Sequence, residues 1–480
     1  MGKYVIALCI AALPFIAQAQ DKWDLRRCVE YAVKNNISVK QADVQARIAD
    51  LQLKQQKYNQ YPTANFSTNL GTQFGRSIDP TTNLFVNTQL LYQNLQLQGG
   101  ITVFSFGQVK NAIEAARYNA QAMKIDVDRT ANDISINVAT YYLQVLASRE
   151  QININEVQIG QTKSQLDDTR KRVDAGALPE LNLAELEAQL ATDSTNLITA
   201  RTNFDLNVLQ LKAVLNLDAA APFEVDTPPV EKIPLESLME MQPDAVYLVA
   251  LGAQPLQKVN ELKIKSQEAN VKAYKYALYP TLSLGYSLGS QFSNSLKDGK
   301  TSLAGYEQTA AYTKVSRDTL LSPVYSTNYS QKRFTDWWYG YADQLNNNFQ
   351  QSVGLTLSVP IFNGGNSRRI TYERSKLDLQ NMKLQKEQGD MTLKQNIYTA
   401  YTNAVGSMDK YNTSAKSVES AQKAYDYARK RYEVGLLSTI DLLTNQNKLL
   451  TAKLQQLSNR YDYVFRMKLL EFYKGQGLKL

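Results

Sequence analysis

The chain has 480 residues, 44% of them hydrophobic, and its 53 basic against 45 acidic side chains give a formal charge of +8. That surplus is spread along the chain with no basic block, which argues against a nucleic-acid partner. Histidine is absent altogether, which removes the commonest general base and metal ligand and with them most hydrolytic mechanisms.

In chain order, the first feature is a leader. Lys3, an apolar run from Tyr4 to Ile16 and the small-x-small site Ala17-Gln18-Ala19 read as a secretory signal peptide over residues 1–19. Leu8 ahead of Cys9 is too bulky for the lipoprotein pattern. Cleavage leaves Cys28 without a disulfide partner, so an exported chain must be held by packing or assembly. No later stretch of about 18 apolar residues occurs, so no membrane-spanning helix is expected.

A first repeat is expected over residues 20–230. Ser38 to Asn59 is rich in helix-forming Ala, Gln, Lys and Leu and stops at Tyr61-Pro62. Two strands follow, about 64–74 and 95–104. In the first, Phe66, Thr68, Leu70, Thr72 and Phe74 alternate with Asn65, Ser67, Asn69 and Gln73. In the second, Leu95, Leu97, Ile101 and Val103 alternate with Gln96, Gln98 and Thr102. A helical hairpin should fill 109–216. Its outgoing arm, Val109 to Arg172, contains no proline, and as one helix it would reach roughly 95 Å.

The second repeat, 231–480, has the same order. Tyr61-Pro62-Thr63 recurs as Tyr279-Pro280-Thr281, and Gly71 as Gly289, 218 positions on (279 − 61); Ala32 and Ala250 keep that offset. A helical run, Leu256 to Ala277, precedes strands at about 281–291 and 350–359. Phe104-Ser105-Phe106-Gly107 is matched by Phe362-Asn363-Gly364-Gly365 at an offset of 258 (362 − 104), so the second half holds about forty extra residues. These should form an outer-face loop, 293–348. Near its end Trp337-Trp338-Tyr339-Gly340-Tyr341 suggests an aromatic girdle at a lipid interface, with ligand capture as the alternative. A second helical hairpin occupies 365–474. In its returning arm Leu443, Leu450, Leu457 and Val464 recur every seven residues, a coiled-coil seam.

Each of the four strands has one apolar face and one polar, uncharged face, as in outer-membrane barrels. A soluble sandwich would need about seven strands and would show charge on its outer face. Gly285-Tyr286-Ser287-Leu288-Gly289 fits the G-x-S-x-G pattern of esterases, but a nucleophile elbow needs a strand-to-helix turn and a histidine, and the alternation here continues through it. Four strands cannot close a barrel, because the smallest single-chain ones have about eight and open edges are not tolerated in lipid. Strands must therefore be pooled: two chains give eight and three give twelve, and only the larger barrel leaves a lumen.

The two hairpin tips share a turn. Arg170-Lys171-Arg172, Gly176, Leu178 and Asn182 recur as Arg429-Lys430-Arg431, Gly435, Leu437 and Asp441, 259 positions on (435 − 176). The basic cluster favours the C-terminal end of a helix dipole, and each glycine supplies a left-handed stop. Ser438 then reads as an N-cap with Asp441 at capping-box spacing, whereas the first tip places Pro179 at the first helical position.

The doubled order, the Val359-Pro360-Ile361-Phe362-Asn363-Gly364-Gly365 stretch and the Tyr432-x-x-Gly435…Asp441-Leu442 tip resemble the TolC family of outer-membrane efflux proteins over essentially the whole mature chain. The resemblance implies an α+β membrane protein in which three chains pool their strands into a twelve-stranded barrel above a periplasmic coiled-coil tunnel. It implies export of drugs or proteins together with a periplasmic adaptor and an inner-membrane transporter of RND or ABC type, with no enzymatic activity, cofactor or metal. It places the tunnel constriction at the second tip. Asp441 matches the main acid of the closing ring, and Tyr432 the tyrosine of the linking network. Thr444 stands where some members carry a second acid. Leu437 stands at a basic link, and Asn182 at its acidic partner. The turns at Gly176, Leu178, Gly435 and Ser438 are then the adaptor contacts. For Asp441 the alternative role is the helix cap. The alternative for the whole chain is a periplasmic coiled-coil adaptor without a pore, which leaves the four lipid-type strands unexplained.

Overall fold

The computed structural model describes residues 22–78, 83–87, 90–226, 235–295, 301–314, 321–331, 338, 340–361 and 366–475. The signal peptide with Cys9, the 362–365 part of the repeat match, Trp337 and Tyr339 lie outside them. The first repeat contains α1 (Leu25–Asn35), α2 (Ile37–Tyr58), β1 (Thr63–Gln73), a small hairpin of β2 (Arg76–Ile78) and β3 (Phe85–Asn87), β4 (Leu90–Phe104), α3 (Gln108–Asp174) and α4 (Glu180–Leu215). The second contains α5 (Pro243–Ala253), α6 (Pro255–Tyr276), β5 (Thr281–Ser295), β6 (Thr301–Lys314), β7 (Leu321–Gln331), α7 (Tyr341–Asn347), β8 (Gln350–Ser358), α8 (Ser367–Glu433) and α9 (Thr439–Tyr473). The repeat offsets hold in three dimensions: α1, α2 and the start of β1 recur 218 residues on, and α3 and α8, each 67 residues long, recur at 259.

The chain divides into two compact units. One comprises Gln52–Ala116 and Gln267–Leu377, and the other Arg117–Ser266, Asp378–Leu480 and the first 51 residues. In the strand-bearing unit, β1, β4, β5 and β8 form one antiparallel sheet in the order β1-β4-β5-β8. The register stacks alternate residues into two continuous faces. Phe66 faces Leu97, which faces Leu288; Tyr286 faces Val353, and Leu284 faces Leu355. On the other face Asn65 meets Gln98, Gln98 meets Ser287 and Ser287 meets Ser352. Away from Leu91 and Phe292, which are buried, much of the apolar face is exposed, with Phe66 at 66% and Val353 at 74%. Ser287 lies in mid-strand on the polar face, which is no setting for a nucleophile elbow.

The segment expected as a loop is not irregular. It carries α7 and the β6–β7 hairpin, which among the described residues forms a sheet of its own. The described part of the expected aromatic girdle lies against the apolar face of the sheet. Trp338 and Tyr341 pack on Phe292 and Leu91, with Trp338 stacked on the Phe292 ring at 5.6 Å. Tyr341 Oη donates to Gln93 Oε1 at 2.9 Å, and Ser290 Oγ donates to the Leu345 carbonyl at 2.6 Å. Ala342, Asp343, Asn346 and Asn347 remain as the exposed surface of α7.

The helical unit is built twice from one plan. One core joins Leu25, Cys28 and Ala32 of α1 to Val138 and Tyr142 of α3, Leu211 of α4 and Val464 of α9. The other joins Val246 and Ala250 of α5 to Ile397 of α8 and Leu470 of α9. Cys28 and Ala32 thus map onto Val246 and Ala250, and the cysteine serves as a small apolar side chain, its thiol pushed up to about 12 by burial. No helix among the described residues is long and apolar enough to cross a membrane.

Two glycines fix the sheet. A Cβ on Gly99 would land on the Thr63 carbonyl, and one on Gly100 would sit 2.7 Å from the Leu284 oxygen, whereas Gly354 has open space. Gly99→Ala is therefore expected to abolish the folded, heat-modifiable species on gels by forcing β1 away from β4, while Gly354→Ala migrates as wild type. Equal yields of both folded variants would contradict this packing.

Candidate functional site

The two tips close in the same way. At the first, Gly176 (φ +73°) follows α3; its N–H donates to the Val173 carbonyl and that of Ala177 to Arg172, both at 2.8 Å. At the second, Gly435 (φ +77°) donates to Tyr432 at 3.0 Å and Leu436 to Arg431 at 2.8 Å. These paired bonds satisfy the last carbonyls of each long helix, and the positive φ is why glycine stands there. The returning helices differ. Pro179 is the N-cap of α4, extended at ψ 150°, one position earlier than the sequence suggested. Ser438 caps α9, its Oγ accepting from the Asp441 N–H at 3.2 Å. The reciprocal half of the expected capping box is altered: Asp441 Oδ2 accepts from the Ser438 hydroxyl at 2.6 Å rather than from the N-cap amide.

Of the constriction candidates, Asp441 and Thr444 are exposed on one face of α9, and Thr444 Oγ1 donates back to the Ile440 carbonyl at 2.7 Å. Leu437 packs against a buried cluster of Tyr425, Ala428, Tyr432, Leu442 and Leu449, so the position of a basic link holds an apolar prop. Asn182 is half-buried on α4, and among the described residues its side chain makes no hydrogen bond to the second tip. Leu178 is half-buried, and Gly176, Gly435 and Ser438 are exposed. The structure thus brings Tyr432 and Leu437 together and leaves Asp441 and Thr444 exposed.

What joins the hairpins is a buried polar ladder that periodicity did not reveal. Tyr432 Oη shares a 2.9 Å hydrogen bond with Thr169 Oγ1 of α3 and accepts from Thr439 Oγ1 at 3.5 Å. One turn up, Gln165 Nε2 donates to Tyr425 Oη at 2.8 Å; burial raises that phenol above its ordinary value, so it stays protonated. Beyond it Thr162 Oγ1 donates to Asp193 Oδ2 at 2.6 Å and accepts from Gln446 Nε2 at 3.1 Å. Gln189 and Asn447 exchange bonds of 3.2 Å. Leu166, Leu186 and Leu443 fill the apolar gaps. The sequence-level seam Leu443, Leu450, Leu457, Val464 is therefore only half of the buried face of α9. Leu442, Gln446 and Leu449 form a second line toward α8 and the ladder.

These features have counterparts in known proteins. A family model described as outer membrane efflux protein matches residues 29–217 and 321–474. TolC of Escherichia coli (strain K12) is 24% identical over 331 residues, which are 68% of this chain. The chain spans 58% of the length of that relative. The efflux protein BepC of Brucella suis biovar 1 is 20% identical over 463 residues, 95% of this chain and 86% of its own. In structure the chain is similar to CusC, with a TM-score of 0.72 over 94% of this chain and 92% of that one at 15% identity.

Tyr432→Phe removes both hydroxyl partners and leaves Thr169, which is fully buried, with an unmade hydrogen bond. The expected loss is about 1–3 kcal/mol, confined to the tips. Hydrogen exchange should accelerate between 160 and 185 and between 425 and 447 while the cores around Cys28 and Val246 stay protected; unchanged exchange at the tips would contradict the ladder.

Proposed function

The chain belongs to the TolC-like outer membrane efflux protein family, and on that premise we propose that three copies form an exit duct through the outer membrane of a Gram-negative cell. One observation carries this reading: a four-stranded sheet with a largely exposed apolar face on one side, an uncharged polar face on the other and two edges, β1 and β8, that are unpaired among the described residues. In lipid every backbone polar group needs a partner. Pooling three sheets supplies those partners, directs the apolar faces to lipid and leaves a polar-lined lumen.

The internal repeat says how the edges meet. Leu70 of β1 faces Gln93 of β4, and Leu288 of β5 faces Gln351 of β8, the same pair displaced by 218 and 258 positions. The covered junction between β4 and β5, where Leu97 faces Leu288, is then the internal copy of an open junction between β8 and β1 of the next chain. Carried over, Leu355 of one copy faces Leu70 of its neighbour. Both lie on the apolar face, as a correct register requires. The helices agree. On α2, Ile37, Val44 and Leu51 form an exposed heptad stripe; on α8, Leu377, Leu384 and Met391 form another. In the second repeat the counterpart of Leu51, Ala269, is buried within the chain. Two exposed heptad lines on one chain suit a head-to-tail ring.

A periplasmic adaptor docking at the tips and an inner-membrane transporter of RND or ABC type would complete the export path, with small molecules or proteins as cargo. No catalytic step is assigned. The pore-free adaptor alternative lacks support, since it gives the sheet no role.

Two measurements test the reading. Purified protein in a planar bilayer should conduct. Leu70→Cys with Leu355→Cys should oxidise to disulfide-linked oligomers, since facing Cα atoms are typically about 5.5 Å apart, while Leu70→Cys with Gly354→Cys, on opposite faces, should not. Absence of conductance contradicts the duct, and cross-linking of the mismatched pair contradicts the register.

A further inference from the structure

The exposed face of α9 carries more than Asp441. Thr444, Lys448, Thr451 and Gln455 follow it at helical spacing, and all are exposed. Lys448 lies seven residues from Asp441, two turns or about 10 Å along the axis on the same face. Together with Ser417 and Ser420 of α8, Thr444, Lys448, Thr451 and Gln455 line a groove of about 920 Å³ whose walls carry one formal charge, that of Lys448. Among the described residues no carboxylate pairs with it, whereas Lys423 is paired with Glu419 and Arg466 with Asp462. A lone cation in a groove of hydroxyls and amides keeps its field for whatever enters the groove.

We propose that Lys448 forms a basic ring two helical turns inside the Asp441 ring, so that the tip is a bipolar filter with a station for anionic groups of the cargo, carboxylate or phosphate. This rests on the trimeric-duct reading, which turns the exposed face of α9 toward the axis. The helix then fixes the rest: if Asp441 faces the axis, Lys448 does too, because seven residues return a side chain to within about 20° of the same direction. Three lysines offset three carboxylates, and the tip loses the strong cation preference that an acidic ring alone would impose. Thr444, between the two rings, adds no charge.

Bilayer recordings in a salt gradient test this with wild type, Asp441→Asn, Lys448→Gln and the double variant. Three charges about 10 Å from the ion path, screened at 0.1 M salt, change occupancy about two- to threefold. Lys448→Gln is expected to raise the cation-to-anion permeability ratio by that factor, and Asp441→Asn to lower it. A trivalent cation added on the tip side should block Lys448→Gln at lower concentration than wild type. Lys448→Cys adds a rescue: a cationic thiosulfonate should restore the wild-type ratio and an anionic one should lower anion permeability further, with the buried Cys28 silent. If Asp441→Asn shifts the ratio while Lys448→Gln and the thiol adducts do not, the basic ring is overturned and the duct stands. If none of the proteins conducts, the duct reading itself falls, and the ring with it.

Discussion

The unpaired edges of the β1-β4-β5-β8 sheet govern everything else in this molecule. A row of backbone N–H and C=O groups in hydrocarbon costs several kcal/mol per unsatisfied group. A lone chain with this sheet therefore has no stable state in a bilayer. The strands connect through short segments to helices that are long and largely polar, with narrow buried stripes of the kind coiled-coil contact uses. Sheet and helices thus demand the same remedy, a ring of identical copies, and the repeat makes the demand self-consistent, because each open junction has a satisfied copy inside the chain.

The same repeat explains where the two halves diverge. The α1/α5 cores, the 67-residue helices and the glycine turns are nearly superposable in pattern, so they carry the architecture. Differences gather at the ends. At the outer end the second half adds β6, β7 and α7, and α7 covers the top of the apolar face through Phe292 and Leu91. At the tips the first half has Ala175, Ala177 and Asn182 where the second has Val434, Leu436 and Asp441. The second tip thus presents more apolar bulk and a carboxylate at 441, whereas the first carries its acid at Glu180, where the second has Thr439. Asp441 and Ser438 also bond to each other, so the acid is oriented by the same turn that starts its helix.

Much of this was legible in the residues, for definite reasons. Tyr-Pro pairs stop α2 and α6, period-two alternation marks all four strands, and Gly176 and Gly435 announce their own backbone geometry. What escaped was chemistry that looks like solvent exposure. Thr162, Gln165 and Thr169 recur at helical spacing, as a wetted face would, yet Thr162 and Thr169 are fully buried, because Asp193, Gln446 and Tyr432 arrive from sequence-distant helices to bond them. Leu442 beside Leu443 hid a second seam on α9, since adjacent leucines fit no single stripe. The α1 and α5 helices were missed because eleven residues bound by Asp24 or Pro243 give too short a period to read. The β6–β7 hairpin was missed because its Tyr, Ser and Thr content has no apolar face.

The central claim is that the open sheet is completed by two further copies of the same chain. Native mass spectrometry of the protein extracted in mild detergent counts those copies directly. The account predicts a single species of three chains that contributes twelve strands and survives dilution. A dimer, whose eight-stranded barrel would be filled by its own side chains, or a monomer that still inserts into bilayers, would contradict it.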